Sequence, residues 1–191
     1  MWEECRSIGI PRPLPRVHPG PARDGVVSRQ RRYTAVAQSS RSGGSTAQSC
    51  AVLARRWPAY RRPIWAWWQR GEEKVAGPLD DEVALLRQVI DSGLACYALT
   101  CMGAETYPKR RRRYKFVSWF AGTVVSGFTG VAKPEPQIYQ VLLGRFDLDP
   151  ETTLFIDDRE VNVVAAAHVG MEAYLYTGPE PVLARLGLVR G

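Results

Sequence analysis

The sequence predicts an α/β protein built on a parallel, Rossmann-like sheet with helices on both faces. Three observations carry that expectation. Residues 94–99 and 153–156 are short, nearly continuous apolar runs, the pattern of strands covered on both faces. Around them lie segments with apolar residues three and four apart, the pattern of helices with one buried stripe. The two kinds alternate at lengths that suit right-handed crossovers between parallel strands.

Taken in order, residues 1–50 show no sustained period and are rich in Arg, Pro, Ser and Gly, which predicts an irregular segment. An apolar pattern begins at Ala51, and residues 64–69 carry Trp65, Trp67 and Trp68, a stretch suited to a helix covering a pocket or core. Gly77 and Pro78 then break the chain. Asp80 is placed to cap a helix whose apolar face holds Val83, Leu85, Leu86, Val89 and Ile90, with Ser92 and Gly93 ending it. The run at 94–99 is the first strand. A helix is expected over 104–114, an extended segment over 122–125, and a helix starting at Pro134 or Pro136 and carrying Ile138, Tyr139, Leu142 and Leu143. Strand 153–156, helix 161–169, strand 172–176 and helix 181–186 complete the pattern. No internal repeat is present.

The 191 residues carry a formal charge of +7. Residues 1–55 hold nine Arg, no Lys and three acids, whereas residues 56–191 are nearly neutral. The high isoelectric point is therefore local to the head of the chain and argues against a uniformly nucleic-acid-binding domain. No run approaches 18 apolar residues, so no transmembrane helix is expected. The N-terminus lacks the apolar stretch of a secretory signal. Cys5, Cys50, Cys96 and Cys101 show no CxxC spacing, and Cys96, inside an apolar run, reads as a buried thiol of a cytoplasmic protein.

In a parallel sheet, ligands bind outside the carboxyl ends of the strands. Thr100 follows the first strand, Lys133 precedes a helix, and Asp157 with Asp158 follows Leu154, Phe155 and Ile156. A hydroxyl, an ammonium and paired carboxylates at one edge are what is needed to hold a phosphoryl group and a hard cation.

Leu99-Thr100, Lys133-Pro134 and Phe155-Ile156-Asp157-Asp158 followed by Asn162 resemble motifs II, III and IV of the haloacid dehalogenase superfamily of hydrolases. Trp119-Phe120 and Val124-Val125-Ser126-Gly127 are similar to a bacterial subgroup with a helical cap. The resemblance implies residues 51–79 as part of that cap and residues 80–191 as the α/β core. It implies Mg²⁺ held by Asp157 and Asp158, and a small phosphorylated substrate contacted by Thr100, Cys101, Lys133 and Asn162. Thr100 and Lys133 then carry the catalytic contacts to the phosphate and the anionic intermediate. The Asp157-Asp158 pair favours the phosphatase type over the metal-free dehalogenases. Cys101 departs from the pattern, because the subgroup commonly has Asn there.

The resemblance also implies a nucleophilic Asp in a DxD motif at the end of a first, central strand. No hydrophobic strand ending in DxD precedes residue 80. Ala22-Arg23-Asp24-Gly25-Val26-Val27 keeps one Asp but has Ala22 at the nucleophile position, and reads as chance. Without that strand, two neighbouring strands are expected to lack a ladder partner and part of the core to lie uncovered. The head of the chain looks like GC-rich DNA translated in a wrong frame. If neither alternative frame upstream of codon 51 encodes a strand ending in DxD, that idea fails. A catalytically inactive form of the fold is one alternative. A nucleic-acid module using the Arg-rich head and the basic run Lys109 to Arg113 is the other, although most of that run is expected to be a solvated face.

Overall fold

A computed structural model describes residues 46–70 and 77–189 of the chain. The expectations for residues 1–45, including Asp24 and its neighbours, lie outside the described residues.

The described part begins with two helices, α1 (Thr46–Arg56) and α2 (Arg61–Gln69), joined by a 3₁₀ turn at Pro58–Tyr60. Cys50 and Ile64 are buried between them, and Trp65, Trp67 and Trp68 pack partly buried against that pair. Trp65 and Trp68 meet edge to face at 5.6 Å, an arrangement favoured by the ring quadrupoles. The tryptophans thus serve packing within this helix pair.

Helix α3 (Asp80–Asp91) turns Leu85 and Leu86 inward. Its N-cap is Leu79, and no side chain caps it. Asp80 is therefore not the cap expected from the sequence. It is the first helical residue, where a carboxylate still favours the positive end of the helix dipole. Gly93, at φ +91°, follows the helix end, as a left-handed position requires.

Four short strands follow, interleaved with helices. They are β1 (Tyr97–Thr100), β2 (Gly122–Val125), β3 (Leu154–Asp157) and β4 (Glu172–Leu175). The helices are α4 (Tyr107–Arg113), α5 (Ser126–Thr129), α6 (Pro136–Phe146), α7 (Glu160–His168) and α8 (Pro179–Arg185). Proline opens α6 at Pro136, where its missing N–H costs nothing. The class is α/β with parallel strands, as expected.

The sheet is divided, however. β1 pairs only with β2, from Tyr97↔Gly122 to Thr100↔Val125, and β3 pairs only with β4, from Leu154↔Glu172 to Asp157↔Leu175. Each pair is parallel, and among the described residues no strand joins them. The physical consequence appears in burial: all four residues of β1 are only half-buried, although the run was expected to be covered on both faces. Cys96 is likewise partly rather than fully buried, and that burial raises its thiol pKa. Among the described residues, the buried cysteine is Cys50.

The main core lies around β2, β3, α6 and α7, with Val124, Ile138, Tyr139, Leu142, Phe155, Ala165, Ala166 and Met171 buried together. At about 1.5–3 kcal/mol per large apolar side chain withdrawn from water, this cluster is the main support of the carboxyl edge of β3. A second cluster joins Leu86 of α3 to Phe116 and Val117. Among the described residues, no helix is long and apolar enough to cross a membrane.

Candidate active site

The carboxyl ends of β1 and β3 are brought to one edge by a single residue, Lys133. Its backbone N–H lies 3.3 Å from Cys101 Sγ, just beyond β1, and its Nζ lies 2.7 Å from Asp157 Oδ2, the last residue of β3. The Lys133–Pro134 peptide bond is cis. The turn carrying Lys133 is closed by Glu135, whose N–H donates to the Ala132 carbonyl at 2.8 Å.

Lys133 and Asp157 form a buried ion pair, with side chains only 4% and 2% exposed. Two buried charges at this distance are tolerable only if their other polar atoms are also satisfied. Asp157 meets that requirement. Its Oδ1 accepts the Arg159 backbone N–H at 3.0 Å and the Asn162 side-chain amide at 2.8 Å. Asn162, on the first turn of α7, is itself buried, and its carbonyl accepts the Tyr139 hydroxyl at 3.0 Å. Burial is the main cause that drives the Tyr139 pKa well above its ordinary value, so the phenol stays protonated and keeps donating.

Asp158 follows directly and is half-buried. Thr100 ends β1 and is half-buried beside the same cavity that Lys133 lines. The loop after β1 is fixed from the start of α5: the Gly127 N–H and the Ser126 hydroxyl both donate to the Met102 carbonyl, at 2.9 and 3.3 Å. Gly127 is required there, because a Cβ would fall 2.2 Å from the Ala104 backbone nitrogen.

The structure therefore gathers Cys101, Lys133, Asp157 and Asn162 into one bonded chain, with Thr100 and Asp158 each next in sequence to a member of it. Cys101 touches the Lys133 backbone and so positions the loop, a contact the sequence did not suggest. Tyr139 is a further residue missed: its place on the apolar face of α6 was readable, but its hydroxyl partner lies 23 residues away. In the basic run, Arg110 is buried while Lys109 and Arg111 to Arg113 are exposed. The run is thus a solvated face with one inward member.

Among the described residues, no group of three or more His, Cys, Asp or Glu side chains could jointly hold a metal ion. The donors at this edge are the two adjacent carboxylates. That set still suits Mg²⁺, which commonly takes one or two carboxylates and completes its shell with water and phosphate oxygens.

Residues 54–170 match the sequence model of the haloacid dehalogenase-like hydrolases. The chain is 33% identical over 88 residues to a sesquiterpene phosphatase of Aspergillus oryzae, covering 46% of this chain and 45% of that protein. It is 34% identical over 59 residues to a chloroplast flavin mononucleotide hydrolase of Arabidopsis thaliana, covering 31% and 24%. The chain thus spans less than half the length of either relative. Among solved structures, a haloacid dehalogenase family enzyme of Bacteroides thetaiotaomicron, complexed with magnesium and inorganic phosphate, shares the fold. The TM-score is 0.60 at 19% identity, over 75% of each chain.

Proposed function

The chain belongs to the haloacid dehalogenase-like hydrolases, and from that premise we propose a site of the Mg²⁺-dependent phosphatase type for a small phosphorylated substrate. The observation that carries this reading is the Lys133–Asp157 pair, which sets a cation, two carboxylates and the Thr100 hydroxyl at one strand edge. That one relative is a sesquiterpene phosphatase and another a flavin mononucleotide hydrolase supports the substrate class.

In this reading Thr100 donates its hydroxyl to a phosphate oxygen, and the Lys133 ammonium offsets the charge of the phosphoryl group. Asp157 holds that ammonium in place, and Asn162 with the Arg159 N–H holds Asp157. Asp158 and Asp157 would hold Mg²⁺, which when bound neutralises phosphate charge. Helices α1 and α2 form part of a cap, and residues 80–189 form the core.

Hydrolysis by the family route needs one more group. A carboxylate attacks phosphorus, the substrate oxygen leaves and takes up a proton, and water then cleaves the acyl phosphate to regenerate the carboxylate. No strand between β1 and β3 among the described residues supplies it. That absence favours a second reading, a phosphate-binding but inactive form of the fold.

Calorimetric titration of the full chain with inorganic phosphate tests the site. Saturable binding strengthened by Mg²⁺ and lost in Thr100→Val and Asp158→Asn is expected. A folded chain that ignores phosphate would sink the reading. Turnover of an aryl phosphate then separates the hydrolase from the inactive form.

A further inference from the structure

The turn between α1 and α2 carries a concentration of positive charge that the site at the strand edge does not use. Arg55 and Arg56 end α1, and Arg61 and Arg62 begin α2. Trp57, Pro58, Ala59 and Tyr60 join the two pairs. All four arginines are exposed. Among the described residues, none of their side chains is in an ion pair or a hydrogen bond. The turn itself is held in place: the Trp57 N–H donates to the Leu53 carbonyl and the Tyr60 N–H to the Trp57 carbonyl, both at 2.9 Å. Four cations are thus fixed at one tip of a packed helix pair.

The nearby sequence supplies no counter-charge. No Asp or Glu occurs from residue 25 to residue 71. The next acids, Glu72 and Glu73, come after the opposite end of α2. Arg61 and Arg62 also stand at the N-terminus of α2, whose first turn holds no acid and whose N-cap makes no side-chain bond. Cations there oppose the helix dipole. The arrangement is unfavourable for the helix alone and is relieved by an external anion.

We infer that this tip is a docking surface for an anionic lipid bilayer, on which the chain rests peripherally.

Charge complementarity sets the class of partner. Four cations spread over two helix ends match a field of headgroup phosphates, and each clustered Arg adds to the attraction. The aromatic residues narrow the choice. Trp57 and Tyr60, half-buried between the two Arg pairs, are the types that settle at headgroup level, where a ring meets apolar chains and its N–H or O–H meets water. Pro58, Ala59 and Pro63 are exposed and uncharged beside them, so the middle of the tip is easily desolvated. A nucleic acid is the competing polyanion. Its bases are read by side chains on a helix or ribbon that enters a groove, or are stacked on open aromatic faces. The tip is a short turn, and Tyr60 packs against the Cys50–Ile64 pair instead of presenting an open ring face. This surface is separate from the Lys133–Asp157 pair and is independent of any phosphatase activity.

The test sediments the full 191-residue chain with vesicles of phosphatidylcholine alone and with vesicles of equal parts phosphatidylcholine and phosphatidylglycerol. Binding to the mixed vesicles, none to the neutral ones, and steady weakening with added salt are expected. The variant carrying Arg55→Gln, Arg56→Gln, Arg61→Gln and Arg62→Gln should bind the mixed vesicles about tenfold or more weakly. A circular dichroism spectrum matching that of the parent chain checks that it folds. A second variant removes the same charge elsewhere: Lys109→Gln with Arg111→Gln, Arg112→Gln and Arg113→Gln should bind as the parent does. Four results overturn the inference. The first is no binding to the mixed vesicles. The second is an equal loss in the two variants, which assigns the attraction to net charge. The third is undiminished binding of the tip variant, which assigns it to other cations of the chain. The fourth is release from the vesicles by a mixed-sequence single-stranded oligonucleotide at equal phosphate concentration, which assigns the tip to nucleic acid.

Discussion

The Lys133 ammonium and the Asp157 carboxylate meet at 2.7 Å with both side chains almost wholly buried. They come from a loop and a strand end 24 residues apart, so the pair ties together the two halves of a divided sheet. Removing one partner leaves a lone buried charge. Lys133→Met is predicted to cost about 3–5 kcal/mol, measured by urea unfolding. The double variant Lys133→Met with Asp157→Asn should cost less than the sum of the singles, because it leaves no unpaired charge.

Asn162 is predicted to matter through Asp157. Its side-chain amide donates to Asp157 Oδ1 at 2.8 Å in a buried setting. Asn162→Ala should destabilise by about 1.5–3 kcal/mol, the range for a hydrogen bond to a charged group. Chemical denaturation reads this directly. A loss under half a unit of kcal/mol, or about 0.5, would show that the bond contributes little beyond an ordinary surface contact.

Two glycine substitutions should act in opposite directions. Gly127→Ala places a methyl group 2.2 Å from backbone and should cost about 1–3 kcal/mol or more, as overpacking does. Gly144 lies within α6 with open space where a Cβ would stand. Gly144→Ala should stabilise by about 0.5–1 kcal/mol through helix propensity and a less flexible unfolded chain. Thermal melting of both variants in parallel reads the contrast.

Alkaline pH should weaken the fold through Tyr139. Burial, the largest cause, raises its folded pKa above the unfolded value of about 10. The unfolded phenol therefore ionises first, so the contribution is present below pH of about 10 and is lost as pH rises beyond it. Tyr176 shifts in the same direction, from burial and its bond to Glu82. Tyr139→Phe should lose about 1 kcal/mol at neutral pH with its bond to the Asn162 carbonyl. It should also show a shallower decline above pH of about 10 in a pH series of unfolding curves.

Local pattern made much of the fold legible. The β2 segment at 122–125 and the strand ending in Asp157 stand out because short apolar runs bounded by Gly, Ser or Asp have few other readings. The start of α3 was one residue off, since an N-cap and a first helical residue differ in dihedral angles rather than in composition. The half-exposure of β1 followed from no property of residues 97–100 themselves. A strand is covered by its neighbours, and the neighbour implied by the resemblance is absent from the described residues. In the site, Lys133 and Asp157 were readable through their motifs. The Tyr139–Asn162 and Cys101–Lys133 contacts were not, because they arise only when distant segments pack.

The most direct measurement is hydrolysis of p-nitrophenyl phosphate by the full 191-residue chain in Mg²⁺, followed beside Asp158→Asn. The account predicts release of p-nitrophenol that stops when EDTA removes the metal and falls by about 10²-fold or more in the variant. Release that persists in EDTA, release equal in the variant, or no release from a folded chain that binds phosphate would each contradict it.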